Sequence, residues 1–227
     1  FTSDGPLNGH ALGNLLIVAR GEQLGGSGGA GGWGGQLLES RGRVLPMSST
    51  PLEIEADVEI GGVREVVRGQ VAVAITTGHV NHVRLFPENP PAQPEALEAV
   101  HDADWVILGP GSWYTSIIPH LLVPDLHRAL CETKAKRVLS LNLVSEKETR
   151  GLSVAEHIGS FHDHAPDLRL DAIIIDPHVI DDAAAIERAA NACGAELLIR
   201  DVRMNDGSPR HDPLRFAAAY RDAFEEI

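Results

Sequence analysis

Two periodicities divide the chain. Over residues 52–86 apolar and polar positions alternate, most cleanly in Leu52-Glu53-Ile54-Glu55-Ala56-Asp57-Val58-Glu59-Ile60. That is the period of a strand with one buried face. Gly61-Gly62 reads as a hairpin turn, and Val71-Ala72-Val73-Ala74-Ile75 and Val80-Asn81-His82-Val83-Arg84-Leu85 continue the strand pattern. An antiparallel β insertion over 52–86 is predicted, with its alternating glutamates on the solvated face.

After a proline-rich connector at 87–94, the period changes again. A helix over 94–101 leads to a strand at 104–108. A helix then runs to about Glu132, with Ile117, Leu121, Leu122, Leu126 and Leu130 on one stripe. Strands follow at 137–142, 171–176 and 195–201, separated by helices over 153–164 and 182–193, and a last helix covers 212–226. Repeated βα units predict an α/β domain whose mainly parallel sheet is covered on both faces, with ligands at the C-terminal strand ends.

Upstream of the insertion the pattern is less regular. Residues 7–20 read as a helix on which His10 and Asn14, four apart, share a face. The 25–35 segment holds eight glycines in eleven positions and reads as linker, without a phosphate-loop pattern. Arg43-Val44-Leu45-Pro46-Met47 reads as a short strand. The whole, 1–227, is expected to be one domain carrying the insertion.

Composition narrows the function classes. Hydrophobic residues make up 43% of the 227 positions and aromatics 4%, so aliphatic side chains must fill the core. A formal net charge of −13 argues against a nucleic-acid surface but leaves room for a local phosphate pocket. Cys131 and Cys193 are the two cysteines, each in a helical pattern without a metal-like neighbour, which predicts reduced structural thiols. No apolar run approaches the ~20 residues of a membrane helix.

The strand-end rule collects the candidate chemistry. The first strand of the βα series delivers Gly109-Pro110-Gly111-Ser112-Trp113-Tyr114-Thr115-Ser116, a glycine- and hydroxyl-rich strand-to-helix junction suited to an anion. Gly109, Gly111 and Ser112 are expected to offer backbone N–H groups, with Thr115 and Ser116 adding hydroxyls. The second strand delivers Asn142, the third Asp176-Pro177-His178, and the fourth Asp201, followed by Arg210-His211-Asp212. Arg210 suits a phosphate oxygen pair as well as a surface ion pair, whereas Asp212-Pro213 reads as a helix cap. Ser112 lacks the setting of a catalytic nucleophile. His157, His162 and His164 are poorly spaced for one metal, so no metal site is expected.

Several of these segments together resemble a known family. Gly9-His10-Ala11-Leu12-Gly13-Asn14-Leu15-Leu16, Arg41-Gly42-Arg43-Val44-Leu45-Pro46-Met47, the 109–119 junction, Asn142-Leu143-Val144, Glu148-Thr149 with Gly151 and Ser153-Val154, and Arg210-His211-Asp212 are similar to the YvcK-like gluconeogenesis factors, most closely actinobacterial ones. These form a branch of the CofD-like superfamily. The resemblance implies a Rossmann-like three-layer α/β fold. It also implies a cytoplasmic factor needed for cell shape and wall synthesis during gluconeogenic growth. Its ligand would be a nucleotide sugar such as UDP-N-acetylglucosamine, with no required cofactor and no settled reaction. Cell-wall synthesis proteins would be its partners, and a homodimer is compatible with it. His10, Asn14, Gly109, Gly111, Ser112, Thr115, Ser116, Asn142 and Arg210 would line the ligand cleft. The other branch, the 2-phospho-L-lactate transferases, supplies the alternative: a phospho-acid transfer that uses a divalent metal. The chain opens at Phe1 without the family's N-terminal glycine-rich strand–loop, so part of the nucleotide site is expected to lie outside this sequence.

Overall fold

A computed structural model describes residues 2, 4, 5, 8, 42–145 and 147–227. The helix expected over 7–20, with His10 and Asn14, and the glycine-rich 25–35 segment lie outside the described residues.

The alternating region forms an antiparallel sheet of β1 (Glu53–Ile60), β2 (Val63–Arg68) and β3 (His79–Phe86), in the order β2-β1-β3. Gly61 and Gly62 close the β1–β2 hairpin with φ of 59° and 82°, values that a side chain would disfavour. Ile54, Ala56 and Val58 of β1 are buried, as the alternation requires.

Three expectations fail here. Glu55 is not solvated: it is 6% exposed because Arg68 and Arg84 stand directly opposite it on the two flanking strands and bond its carboxylate at 2.6 and 3.1 Å. Residues 71–75 are helical, in α1 (Gln70–Ile75), because Gly69 at φ 96° ends β2. One turn then drives Val73 into the core and leaves Val71 and Ile75 exposed. No strand forms over 43–47; nearby, Ser48 makes a single isolated bridge to Ala92.

The second sheet is parallel, with β4 (Trp105–Leu108), β5 (Lys136–Ser140), β6 (Ala172–Ile175) and β7 (Glu196–Ile199) adjacent in chain order. Helices α2 (Pro94–His101), α5 (Val154–His164) and α6 (Ala183–Cys193) match the expected positions closely. Their ends are set locally. Ser153 and Glu156 form a reciprocal capping box at α5, and Gly194 at φ 77° ends α6. Asp212 caps α7 (Pro213–Glu226) by accepting from the Leu214 and Arg215 N–H groups, with Pro213 in the first turn.

The long helix expected up to Glu132 is instead three pieces: a π-type turn over Trp113–Ile117, then α3 (Ile118–Leu121), then α4 (Pro124–Glu132). Pro124 lacks an N–H and so starts a new helix.

Neighbouring residues of β5 and β6 point to opposite faces, and each face has its own cover. Leu139, Ile173 and Ile175 meet Leu126 and Leu130 of α4, Ile158 and Phe161 of α5 and Ile186 of α6. Val138, Ala172 and Ile174 meet Ala219 and Ala223 of α7. The result is a three-layer Rossmann-like arrangement. The antiparallel sheet shares the first cluster through Ile54, Val58, Val83 and Leu85, which lie in it with Trp113, Tyr114 and Ile118. Among the described residues no helix is long and apolar enough to cross a membrane.

Candidate functional site

The parallel strands bring four loops to one end of the sheet. The 109–116 loop leaves β4 at Gly109, whose φ is +73°. A Cβ there would stand 2.7 Å from the Ser140 carbonyl oxygen and 3.1 Å from Ile117 Cδ1. Glycine is therefore required both by the dihedral and by the close approach to β5.

Asn142 then fastens this loop to the next. Its Nδ2 donates to the Gly111 carbonyl at 2.8 Å, and its Oδ1 accepts from the Gly111 N–H at 3.1 Å. Glu148, from a 3₁₀ turn over Lys147–Thr149, adds a second fastening. Its buried carboxylate accepts from the Ser112 hydroxyl at 2.7 Å and from the Tyr114 N–H at 3.0 Å. Ser112 and Thr115 hydroxyls also bond each other.

These contacts alter the expected role of the loop. The Gly111 N–H is committed to Asn142, the Ser112 hydroxyl to Glu148 and Thr115, and Thr115 is buried. The Gly111 N–H and the Ser112 and Thr115 hydroxyls are thus engaged within the protein, with Glu148 as the acceptor at the start of the turn. Ser116 alone of the two expected hydroxyl donors is exposed. Asn142 acts on the loop as its clamp.

Open space lies to either side of Asn142-Leu143-Val144. One cavity of about 250 Å³ is lined by these three residues with Trp113, Ser145, His157, His178, Asp181 and Arg203, among others. A second of about 250 Å³ is lined by the same three with Pro110, Gly111, Pro209 and His211. The two hollows form a bipartite cleft across the C-terminal ends of the strands, where open α/β sheets bind ligands.

Arg210 belongs to the wall of neither. Its guanidinium is turned to Asp206 at 3.1 Å and to Ser208 at 3.2 Å. Among the described residues the arginine lining the cleft is Arg203, joined to the same loop by a bridge to His211. Among the described residues Arg203 makes no side-chain hydrogen bond or ion pair, and its Nε is buried. Seven positions separate the two arginines, and sequence reasoning chose the one nearer the helix cap.

Burial holds His157 below the ordinary histidine range, only partly offset by its Nδ1 contact with the Ser153 carbonyl at 3.0 Å. Burial likewise lowers His211. Both rings are neutral hydrogen-bonding groups near neutral pH. Burial alone would raise the Asp176 carboxyl, but N–H groups of His178 and Val202 and the His178 ring hold it down. Asp176 therefore ties the β6 exit to the β7 exit.

Comparison with known proteins bears on the family and the fold. Residues 1–206 match the family model described as 2-phospho-L-lactate transferase CofD. The chain belongs to the CofD family. Within it, the chain is 43% identical over 228 residues to a putative gluconeogenesis factor of Mycobacterium tuberculosis, covering 96% of this chain and 66% of that protein. The gluconeogenesis factor of Bacillus subtilis is 32% identical over 183 residues, covering 80% and 57% of the two chains. The chain thus spans about two-thirds or less of these relatives' length. A crystal structure of a upf0052 family member from Bacillus halodurans superposes with a TM-score of 0.80 at 27% identity, covering 97% of this chain and 74% of that one. The CofD-like, Rossmann-like fold and the gluconeogenesis-factor resemblance read from the sequence agree with these matches.

Proposed function

We propose that the chain is a nucleotide-sugar-binding factor of gluconeogenic metabolism, acting in the cytoplasm on cell shape and wall synthesis. The relatives' names support the metabolic setting. The observation that carries the ligand class is the bipartite cleft with Arg203 as its unpaired cation among the described residues. A nucleotide sugar has two neutral ends joined by a diphosphate. Two hollows meeting at Asn142-Leu143-Val144 suit the ends, and a guanidinium suits the phosphate oxygens. His157 and Ser145 supply hydrogen bonds to sugar or base.

Titration calorimetry with UDP-N-acetylglucosamine tests the reading. A charge-assisted contact predicts that Arg203→Ala weakens binding about 10- to 100-fold, while Arg210→Ala leaves it within about twofold because that side chain faces Asp206. Absence of saturable binding, or the opposite order of the two variants, rejects it.

The description of the matching family model favours a second reading, a phospho-acid transferase. That chemistry calls for a divalent metal, and the donor set at the cleft end fits one poorly. Asp176, His178 and Asp201 place ligand atoms within 4.8 Å of one another. However, Asp176 already accepts three hydrogen bonds, and Asp201 is paired with Arg215 at 2.6 Å. Metal-dependent product formation from a guanylylated phospho-acid and a deazaflavin acceptor would establish the transferase over the binding factor.

A further inference from the structure

A second group of side chains with ligand chemistry lies at the opposite end of the parallel sheet. α4 carries His127 and Cys131 one turn apart, so both project from the same face. Asp167, from the connection between α5 and β6, reaches the same point. His127 Nε2 lies 2.9 Å from Asp167 Oδ1 and 3.6 Å from Cys131 Sγ, and the three ligand atoms lie within 4.8 Å of one another. α4 leads into the start of β5 and Asp167 precedes the start of β6, so this group is remote from the cleft at the strand ends.

We propose that His127, Cys131 and Asp167 bind a zinc-class divalent ion, with solvent in the fourth position. One thiolate, one imidazole and one carboxylate form a donor set that zinc accepts. The spacing also fits. Tetrahedral bonds of about 2.3 Å to sulfur and 2.0–2.1 Å to nitrogen and oxygen place S and N about 3.6 Å apart, and N and O about 3.3 Å apart. The sulfur–nitrogen separation is already 3.6 Å, and the carboxylate, which is 68% exposed, needs to open its 2.9 Å contact with the nitrogen by about 0.4 Å and bring its oxygen, now within 4.8 Å of the sulfur, to about 3.6 Å from it. Binding displaces the Cys131 thiol proton to solvent and forms the S–Zn bond, with no change in oxidation state. The bound ion would fasten α4 to the α5–β6 connection. The sequence signal is the His-x-x-x-Cys spacing from 127 to 131, which the expectation of isolated thiols overlooked.

Cobalt(II) titration of the untagged chain is the test. The expected result is one ion per chain with a near-ultraviolet thiolate-to-cobalt charge-transfer band that zinc abolishes by displacement. Cys193 is fully buried, so the band reports Cys131. Cys131→Ser should remove it, and Asp167→Asn should weaken binding by at least the roughly tenfold that a supporting residue costs. A measurement on the unaltered chain guards against unfolded variants: zinc should slow alkylation of Cys131, located by mass spectrometry, by about tenfold or more. Weak binding through other histidines without a thiolate band, or alkylation unaffected by zinc, overturns the proposal.

Discussion

Replacing Asn142 separates the two halves of its clamp on Gly111. Asn142→Ala removes the donor to the carbonyl at 2.8 Å and the acceptor from the N–H at 3.1 Å. At about 1 kcal/mol net for each bond, and with partial hydration of the half-buried loop, the cost is about 1–2 kcal/mol. For a chain of this size that lowers Tm by roughly 2–8 °C. Asn142→Asp keeps the shape and the acceptor, but it turns a carboxylate oxygen toward the Gly111 carbonyl oxygen. Losing one bond and adding that repulsion costs about 2–3 kcal/mol at neutral pH, so the isosteric change should be at least as harmful as truncation. Protonation restores an O–H donor to the carbonyl. Across an acid series, the aspartate variant should therefore gain stability relative to the alanine variant. Urea melts of both, followed by tryptophan fluorescence, measure the difference. An aspartate variant as stable as the parent at neutral pH, or with no relative gain on acidification, would refute the clamp.

Two further outcomes follow from the same loops and from the buried histidines. Gly109→Ala forces a Cβ into the left-handed region and against the Ser140 carbonyl; about 2–4 kcal/mol should be lost, seen as a fall in the urea midpoint, and an unchanged midpoint would contradict the geometry. His157, His164 and His211 all have folded pKa values lowered by burial. Below the unfolded value of about 6.5 the unfolded chain binds more protons than the folded one, so stability should fall as pH drops through about 6.5 toward the folded values. Each ring adds at most about 1.4 kcal/mol per pH unit to that slope; stability that rises between about pH 7 and 5.5 would count against neutral buried rings.

Elements whose signal is local were legible in the sequence. Asp212-Pro213 announces a helix start through its own chemistry, and the predicted α5, α6 and α7 match to within about two residues, their ends set by the Ser153–Glu156 capping box and Gly194. What escaped depends on neighbours distant in the chain. Residues 71–75 read like a strand, yet Gly69 at φ 96° turns the backbone into a helix that buries Val73 in the core. Glu55 looks like a solvent residue until register places arginines on both sides of it. Of the candidate site residues, Gly109 and Asn142 are where strand-end logic put them, although Asn142 serves the loop. Arg210 turns to Asp206 while Arg203, on the same polar loop, lines the cleft, and sequence spacing does not say which guanidinium turns inward.

The order of the parallel strands also governs how the fold can be assembled. Because β4, β5, β6 and β7 are neighbours in chain order, each strand can add to the edge left by the previous one as the polypeptide lengthens. One face is covered along the way by α4, α5 and α6. The other waits for α7, which covers Val138, Ala172, Ile174 and Leu198. A chain stopped before Pro213 would present those side chains as an open apolar sheet face, the kind of surface that drives nascent chains to aggregate.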